Sequence, residues 1–381
     1  MPQIDRLDSL TGLRGVLALW VLLSHLMFLS ILFEFPMADY ISQPVFYMLG
    51  YGCIAVDLFF LLSGFVLSHV YQSELFTGIS FSKVRHFLLL RLARIYPIHL
   101  TILICYALLK LSGITFLAES CDVDVLGATT SSCSRFSLEG LISHLTLTAT
   151  WGWTSPLSWN DPAWSISSEW FGYLIFPILI QFVPRIRNSL LALVLSVLCM
   201  LALIASLATS NIPIDKLPMD SNGLLRIGFE FVAGMLIYQF YRSATYARIP
   251  WGQVSVATLV IAVALYVAGF HVFWVLPLAV PFLLSVAQPK GPISKFLSKK
   301  SVVWLGTISF PIYMGHVFVL DIWGMTFDVS SDEDFSPLKA AAMIAGVVIG
   351  TIGFAALLHY YIEEPSRRML RRWISPKQSN N

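Results

Sequence analysis

Ten stretches of this chain are apolar for long enough to cross a lipid bilayer. They run roughly over 15–33, 51–71, 94–112, 164–183, 188–209, 223–241, 253–270, 272–288, 303–324 and 338–361. A hydrocarbon core about 30 Å thick needs about 20 apolar residues of helix to span it. Backbone that enters it must pair its own N–H and C=O groups, which leaves helices or a closed barrel. Runs of this length are helices. The expected fold is therefore all-α, a polytopic membrane helix bundle of about ten transmembrane helices. Composition agrees: 57% of residues are hydrophobic and 12% charged, against about half and about a quarter in soluble domains. The first apolar stretch follows Arg6 and Arg14 as a signal sequence would, but shows no small-residue cleavage site, so it is expected to be retained. One integral-membrane domain is expected over 1–368, with a short basic cytoplasmic tail over 369–381.

Charge placement sets the expected orientation. With the N-terminus in the cytoplasm, nineteen of the 24 Lys and Arg fall on the cytoplasmic side or its rim, among them Lys83, Arg85, Arg91, Arg94, Arg185, Arg187, Arg242, Arg248 and the tail arginines 367, 368, 371 and 372. Glu119, Asp122, Asp124, Asp328, Asp332, Glu333 and Asp334 then lie outside. Ten spans put both termini in the cytoplasm. Cys53, Cys105 and Cys199 sit in apolar segments, as small buried thiols do. Cys121 and Cys133 share an outer loop, where the spacing leaves a disulfide and two free thiols equally open. The segment 138–163 is too polar to span and reads as an interfacial or re-entrant piece, with Trp151, Trp153 and Trp159 at headgroup level.

Ionisable side chains inside spans are costly in hydrocarbon, so each is either a functional group or a structural partner. Arg14 stands at the cytoplasmic mouth of the first span. His25 lies eleven residues on, about 16 Å deeper at helical rise. A neutral histidine there can act as a general base or bond a neighbouring helix. Asp57 reaches a comparable depth in the second span, where it can serve the imidazole or pair with an arginine. Gly50, Gly52 and Gly64 allow close helix approach. Arg91 and Arg94 share one helix face, suited to phosphates or to plain anchoring. Ser165 and Glu169 lie near the outer end of the fourth span, flanked by Trp164 and Trp170, which read as belt residues or as sugar-stacking faces. His316 is mid-span. Arg226 and Glu230 have i,i+4 spacing and are expected to bridge each other. Glu363 and Glu364 close the last span, in reach of Arg14 or Arg94.

Six motifs occur in order: "LTGLRGVLALWVLLSH", "AVDLFFLLSGFVLS", "RLARIYP", "DPAWSISSEW", "ISFPIYMGHVF" and "YIEEPSRR". Together they resemble the acyltransferase-3 family of integral membrane acyltransferases, over about residues 7–368. Ile166 and Phe310 depart mildly from the family pattern. The resemblance implies an enzyme that moves an acyl group, usually acetyl, from cytoplasmic acyl-CoA to a hydroxyl on an envelope glycan, a lipid-linked sugar or a small glycoside. It implies His25 as the essential histidine, with Arg14, Asp57, Arg91 and Arg94 functional and Glu169 and Glu363 accompanying them.

The expected site draws on both readings. Catalysis falls to His25, Asp57, Glu169 and Glu363, acyl-CoA binding to Arg14, Arg91 and Arg94, and acceptor binding to Trp153, Trp164, Ser165 and His316. Direct transfer with His25 as base is expected, with an acyl-histidine intermediate as the alternative mechanism. Acetyl-CoA is a co-substrate, and no metal and no nucleic-acid partner are expected. The resemblance implies a multi-pass protein of the cell membrane, with the bacterial inner membrane as the expected location. No oligomeric state can be read from the chain. A multi-span transporter or flippase is the rival class, although no inverted repeat marks one.

Overall fold

The structure, a computed structural model, describes residues 7–32, 41–112, 135–154, 158–208, 222–326 and 336–374. Among them there are helices and turns and no strand. In chain order the helices are α1 (Asp8–Leu32), α2 (Gln43–Gly50), α3 (Cys53–Phe76), α4 (Phe81–Leu111), α5 (Leu138–Leu145), α6 (Ala163–Phe182), α7 (Ser189–Ala208), α8 (Gly223–Tyr241), α9 (Trp251–Val267), α10 (Ala279–Ala287), α11 (Pro292–Leu297), α12 (Lys300–Thr307), α13 (Ser309–Thr326), α14 (Pro337–Leu358) and α15 (Glu364–Ile374). Seven helical stretches are long and apolar enough to cross a membrane, and α12 with α13, bent by 64°, can form an eighth crossing. The shorter apolar stretches Trp251–Val267 and Val272–Ala287 occupy the other two predicted segments.

Three segments differ from the sequence expectation for local reasons. The helix predicted from residue 94 starts at Phe81, because nothing before residue 94 breaks a helix and charged residues only exclude the turn from an apolar window. Arg91 and Arg94 therefore lie inside a 31-residue helix. The segment predicted at 272–288 is a 3₁₀ turn over Val272–Leu278 that contains Pro277, followed by α10. Proline gives no N–H to an α-helical ladder, so the first half winds more tightly. The last span passes through a π turn over His359–Glu363 before α15, so 364–374 continues as helix. Cys121, Cys133 and the acidic residues expected outside lie beyond the described residues.

Contacts group the chain into two interleaved units. Unit one takes the chain up to Leu17, Cys53–Val84 and Ser168–Thr307; unit two takes Ala18–Gly52, Arg85–Ser167 and the chain from Ile308.

In unit one, glycine lets backbones touch. A Cβ on Gly64 of α3 would lie 2.0 Å from the Phe231 carbonyl oxygen of α8, and one on Gly234 of α8 would lie 2.0 Å from the Leu61 carbonyl oxygen of α3. The two contacts are reciprocal, so α3 and α8 approach closely enough for backbone to touch backbone. Gly12 and Gly306 do the same between α1 and the α11–α12 region, against Leu297 and Thr11.

In unit two the later part of α1 packs with α2, α13 and α14 through Leu22, Leu26, Met27, Phe46, Leu320, Ala340 and Val347. Gly52 packs on the Ser24 hydroxyl, whereas Gly50 meets nothing within 4 Å and does not mediate helix contact. Trp151 and Trp153 are exposed, but Trp159, expected at headgroup level, is buried.

Gly234→Ala should lower stability in detergent by about 1–3 kcal/mol, the usual cost of overpacking. Gly228→Ala on the same helix faces open space and should stay within about 0.5 kcal/mol. Equal thermal shifts in the two variants would contradict the close-contact account.

Candidate functional site

The segment before α6 is held in a conformation few residues adopt. Trp159 has φ 51°, in the left-handed region. Its backbone N–H donates to the Arg135 carbonyl at 2.8 Å, and its indole N–H to the Ser137 carbonyl at 2.9 Å. Its ring meets Phe136 edge-on at 5.3 Å. These contacts hold the strained residue and fix the course of the chain into α6. The Asn160 amide, wholly buried, donates to the Met314 carbonyl of α13 at 3.1 Å. Asp161 comes next, and then Pro162 leads into α6, where a missing N–H is harmless.

His25 and His316 meet in the same unit, their ring centroids 4.7 Å apart and edge-on. His25 Nδ1 lies 2.9 Å from the Val21 carbonyl oxygen one turn back. A carbonyl only accepts, so this bond assigns the proton to Nδ1 and leaves a lone pair on Nε2. His316 repeats the arrangement: Nδ1 donates to the Tyr313 carbonyl at 2.6 Å. Its Nε2 has no hydrogen-bond partner among the described residues. The Asn160 Oδ1 is likewise buried without a partner among them. His25 is partly accessible and His316 fully buried.

Among the described residues, the carboxylate whose charge acts on His25 is Asp161. Its charge also acts on Arg135, Tyr106 and Asp321. Those three form a network: Arg135 bridges Asp321 at 2.8 Å, and the Tyr106 hydroxyl donates to Asp321 at 2.7 Å. None of the four stands out in the sequence. Asp161 lies in a motif beside more conspicuous tryptophans, and Arg135 and Asp321 fall outside any motif.

The other expected residues take other partners. Asp57, expected either to serve the His25 imidazole or to pair with an arginine, belongs to unit one and accepts from Arg226 Nε at 2.8 Å. Glu230, expected to bridge Arg226, receives no hydrogen bond from any described donor, because Arg226 reaches across to α3 instead. Glu169 accepts from Ser63 at 2.7 Å and from Tyr173 at 2.5 Å, also in unit one. Glu363, expected to reach Arg14 or Arg94, accepts from His359 at 2.7 Å and lies 3.6 Å from Arg367. The π turn that places His359 and Glu363 together brings this pair about.

Arg91 is buried, its guanidinium 6.0 Å from the Phe87 ring centroid, and Arg94 is half-buried. Arg14 lies on α1, which continues unbroken to His25. Trp164 and Ser165 are buried, and the Ser165 hydroxyl donates locally to the Pro162 carbonyl at 2.9 Å. Of the expected acceptor-binding residues only Trp153 presents an open face. Among the described residues no group of three or more His, Cys, Asp or Glu could hold a metal ion.

The sequence is 27% identical to an acyltransferase named MdmB from Streptomyces mycarofaciens, over 97% of this chain and 94% of that protein. It is 36% identical over 95 residues to a protein named protein 2 in picA locus from Rhizobium radiobacter, covering 25% of this chain and 41% of that one. No solved structure matches. The family model described as an acyltransferase domain matches residues 7–360, nearly the whole chain. The chain belongs to the acyltransferase-3 family and is an acyltransferase with the helical, multi-pass architecture of a membrane protein.

Proposed function

We propose that this protein is an O-acyltransferase of the cell membrane, most simply the bacterial inner membrane. It moves an acyl group, acetyl in the simplest case, from cytoplasmic acyl-CoA to a hydroxyl of a glycan, a lipid-linked sugar or a glycoside. Family membership supplies acyl transfer. The observation that carries the rest is His25, partly accessible, with its proton on Nδ1 and its lone pair on Nε2.

The chemistry balances with one base. His25 Nε2 takes the acceptor's hydroxyl proton as its oxygen attacks the thioester carbonyl. The C–S bond breaks, and the imidazolium returns the proton to the departing thiolate, giving an ester and free CoA. Asp161 stabilises the transient imidazolium, the role a third group takes in a triad. His316 backs the His25 ring and restricts its rotation. Arg91 and Arg94 bind the CoA phosphates, as paired guanidinium groups do. Arg14 adds positive charge toward the donor. Trp153 offers a face to a sugar ring.

Calorimetric titration of the detergent-purified protein tests the donor half. Acetyl-CoA should bind saturably and dephospho-CoA more weakly. Arg91→Ala/Arg94→Ala should weaken acetyl-CoA more than about tenfold, since each charge-assisted bond contributes about 1.5–3 kcal/mol. Equal affinity in wild type and double variant would remove these arginines from the donor site. Asp161→Asn should bind acetyl-CoA normally but transfer about tenfold more slowly, a loss of about 1.4 kcal/mol at the transition state. Wild-type turnover in that variant would exclude Asp161.

A further inference from the structure

Among the described residues, charge between α3 and α8 does not close without one more positive group. Arg226 and Asp57 are each 2% exposed and Glu230 is 0% exposed. Arg226 donates from Nε and Nη2 to the same oxygen of Asp57, Oδ1, and from Nη2 to the Cys53 carbonyl at 3.4 Å. The other Asp57 oxygen and both oxygens of Glu230 receive no hydrogen bond from any described donor. Yet Glu230 stands one helical turn beyond Arg226 on α8, so the two carboxyl groups belong to one buried cluster around that guanidinium. When ionised, a carboxyl group can only accept. One guanidinium cannot neutralise two carboxylates, and an uncompensated buried charge is among the most costly features a span can hold.

Something must offset the second carboxyl group. Hard metal ions take about six or more oxygens. Here three carboxyl oxygens are open. A proton needs two oxygens and converts one acceptor into a donor.

We infer that Glu230 is a proton-binding site within the membrane-spanning part of unit one: its carboxylic hydroxyl donates to Asp57 Oδ2, while Asp57 stays ionised against Arg226. The arrangement leaves one cation, one anion and one neutral acid, so the set is neutral overall. It stands beside a close contact of the two helices, since the next residue, Phe231, presses its carbonyl on Gly64. The proton thus lets α3 and α8 close over polar groups without a net charge. This site stands apart from the transfer chemistry proposed for His25 and does not depend on it.

Infrared spectroscopy of the wild-type protein in lipid nanodiscs at neutral pH tests the inference. A protonated carboxyl band, well above the carboxylate bands and shifting in D2O, should be present. Glutamate-selective ¹³C labelling should move that band, which requires no variant to fold. Glu230→Gln, close in shape to the acid, should abolish it and keep the melting temperature, whereas Asp57→Asn should lower the melting temperature by several degrees. Absence of the band, its movement by ¹³C-aspartate instead, or destabilisation by Glu230→Gln as large as by Asp57→Asn would each overturn the assignment.

Discussion

Hydrocarbon offers no hydrogen bonds, so every polar group that a span buries must find its partner inside the protein. Several buried polar contacts among the described residues answer that demand. Arg226 is held by Asp57 and Arg135 by Asp321, with the Tyr106 hydroxyl completing the second set. Both histidines in the candidate site use their own helix for one nitrogen, each donating from Nδ1 to a carbonyl one turn back. What the helix leaves over is the chemically useful part. A ring tied at Nδ1 has a defined tautomer and a defined lone pair, which a freely rotating imidazole lacks.

The positions of these groups depend on packing at a finer scale. The strained Trp159 is maintained by two hydrogen bonds and an aromatic contact, and it delivers Asn160 and Asp161 to the start of α6. Asn160 in turn grips α13 two residues before His316. Backbone strain of this kind costs about 1–3 kcal/mol and persists only where surroundings over-determine it. That such strain lies two residues before the carboxylate acting on His25 links local conformation to the proposed chemistry. In unit one, close glycine contacts rather than strain set the geometry.

Helix existence is largely legible in the sequence, because long apolar runs have few alternatives in a membrane. Helix ends and breaks are less so. Phe81–Arg91 looks like rim because charge masks helical continuity, and the bend before Ser309 has only short-range signals. Some of the residues that carry charge into the spans are legible too, such as Asp57, Arg226 and Glu230, whereas Asp321 at the end of its span is not, and the partners of all of them are hidden. The i,i+4 rule pairs Arg226 with Glu230, and depth counting pairs Asp57 with His25. Long side chains choose partners across helices, and a helix-by-helix reading cannot see those. Asp161 escapes notice because its significance depends on Trp159, Asn160 and α13 meeting in space.

The claim that His25 is the transfer base is tested most directly in membrane vesicles carrying the protein. Radiolabelled acetyl-CoA is supplied, and label entering the glycan and lipid fractions is counted for wild type and His25→Ala at matched amounts of folded protein. The account predicts incorporation by wild type and a loss of about 10²–10⁴-fold in the variant, the usual weight of a general base, with acetyl-CoA binding retained. Incorporation by His25→Ala at the wild-type rate would contradict it.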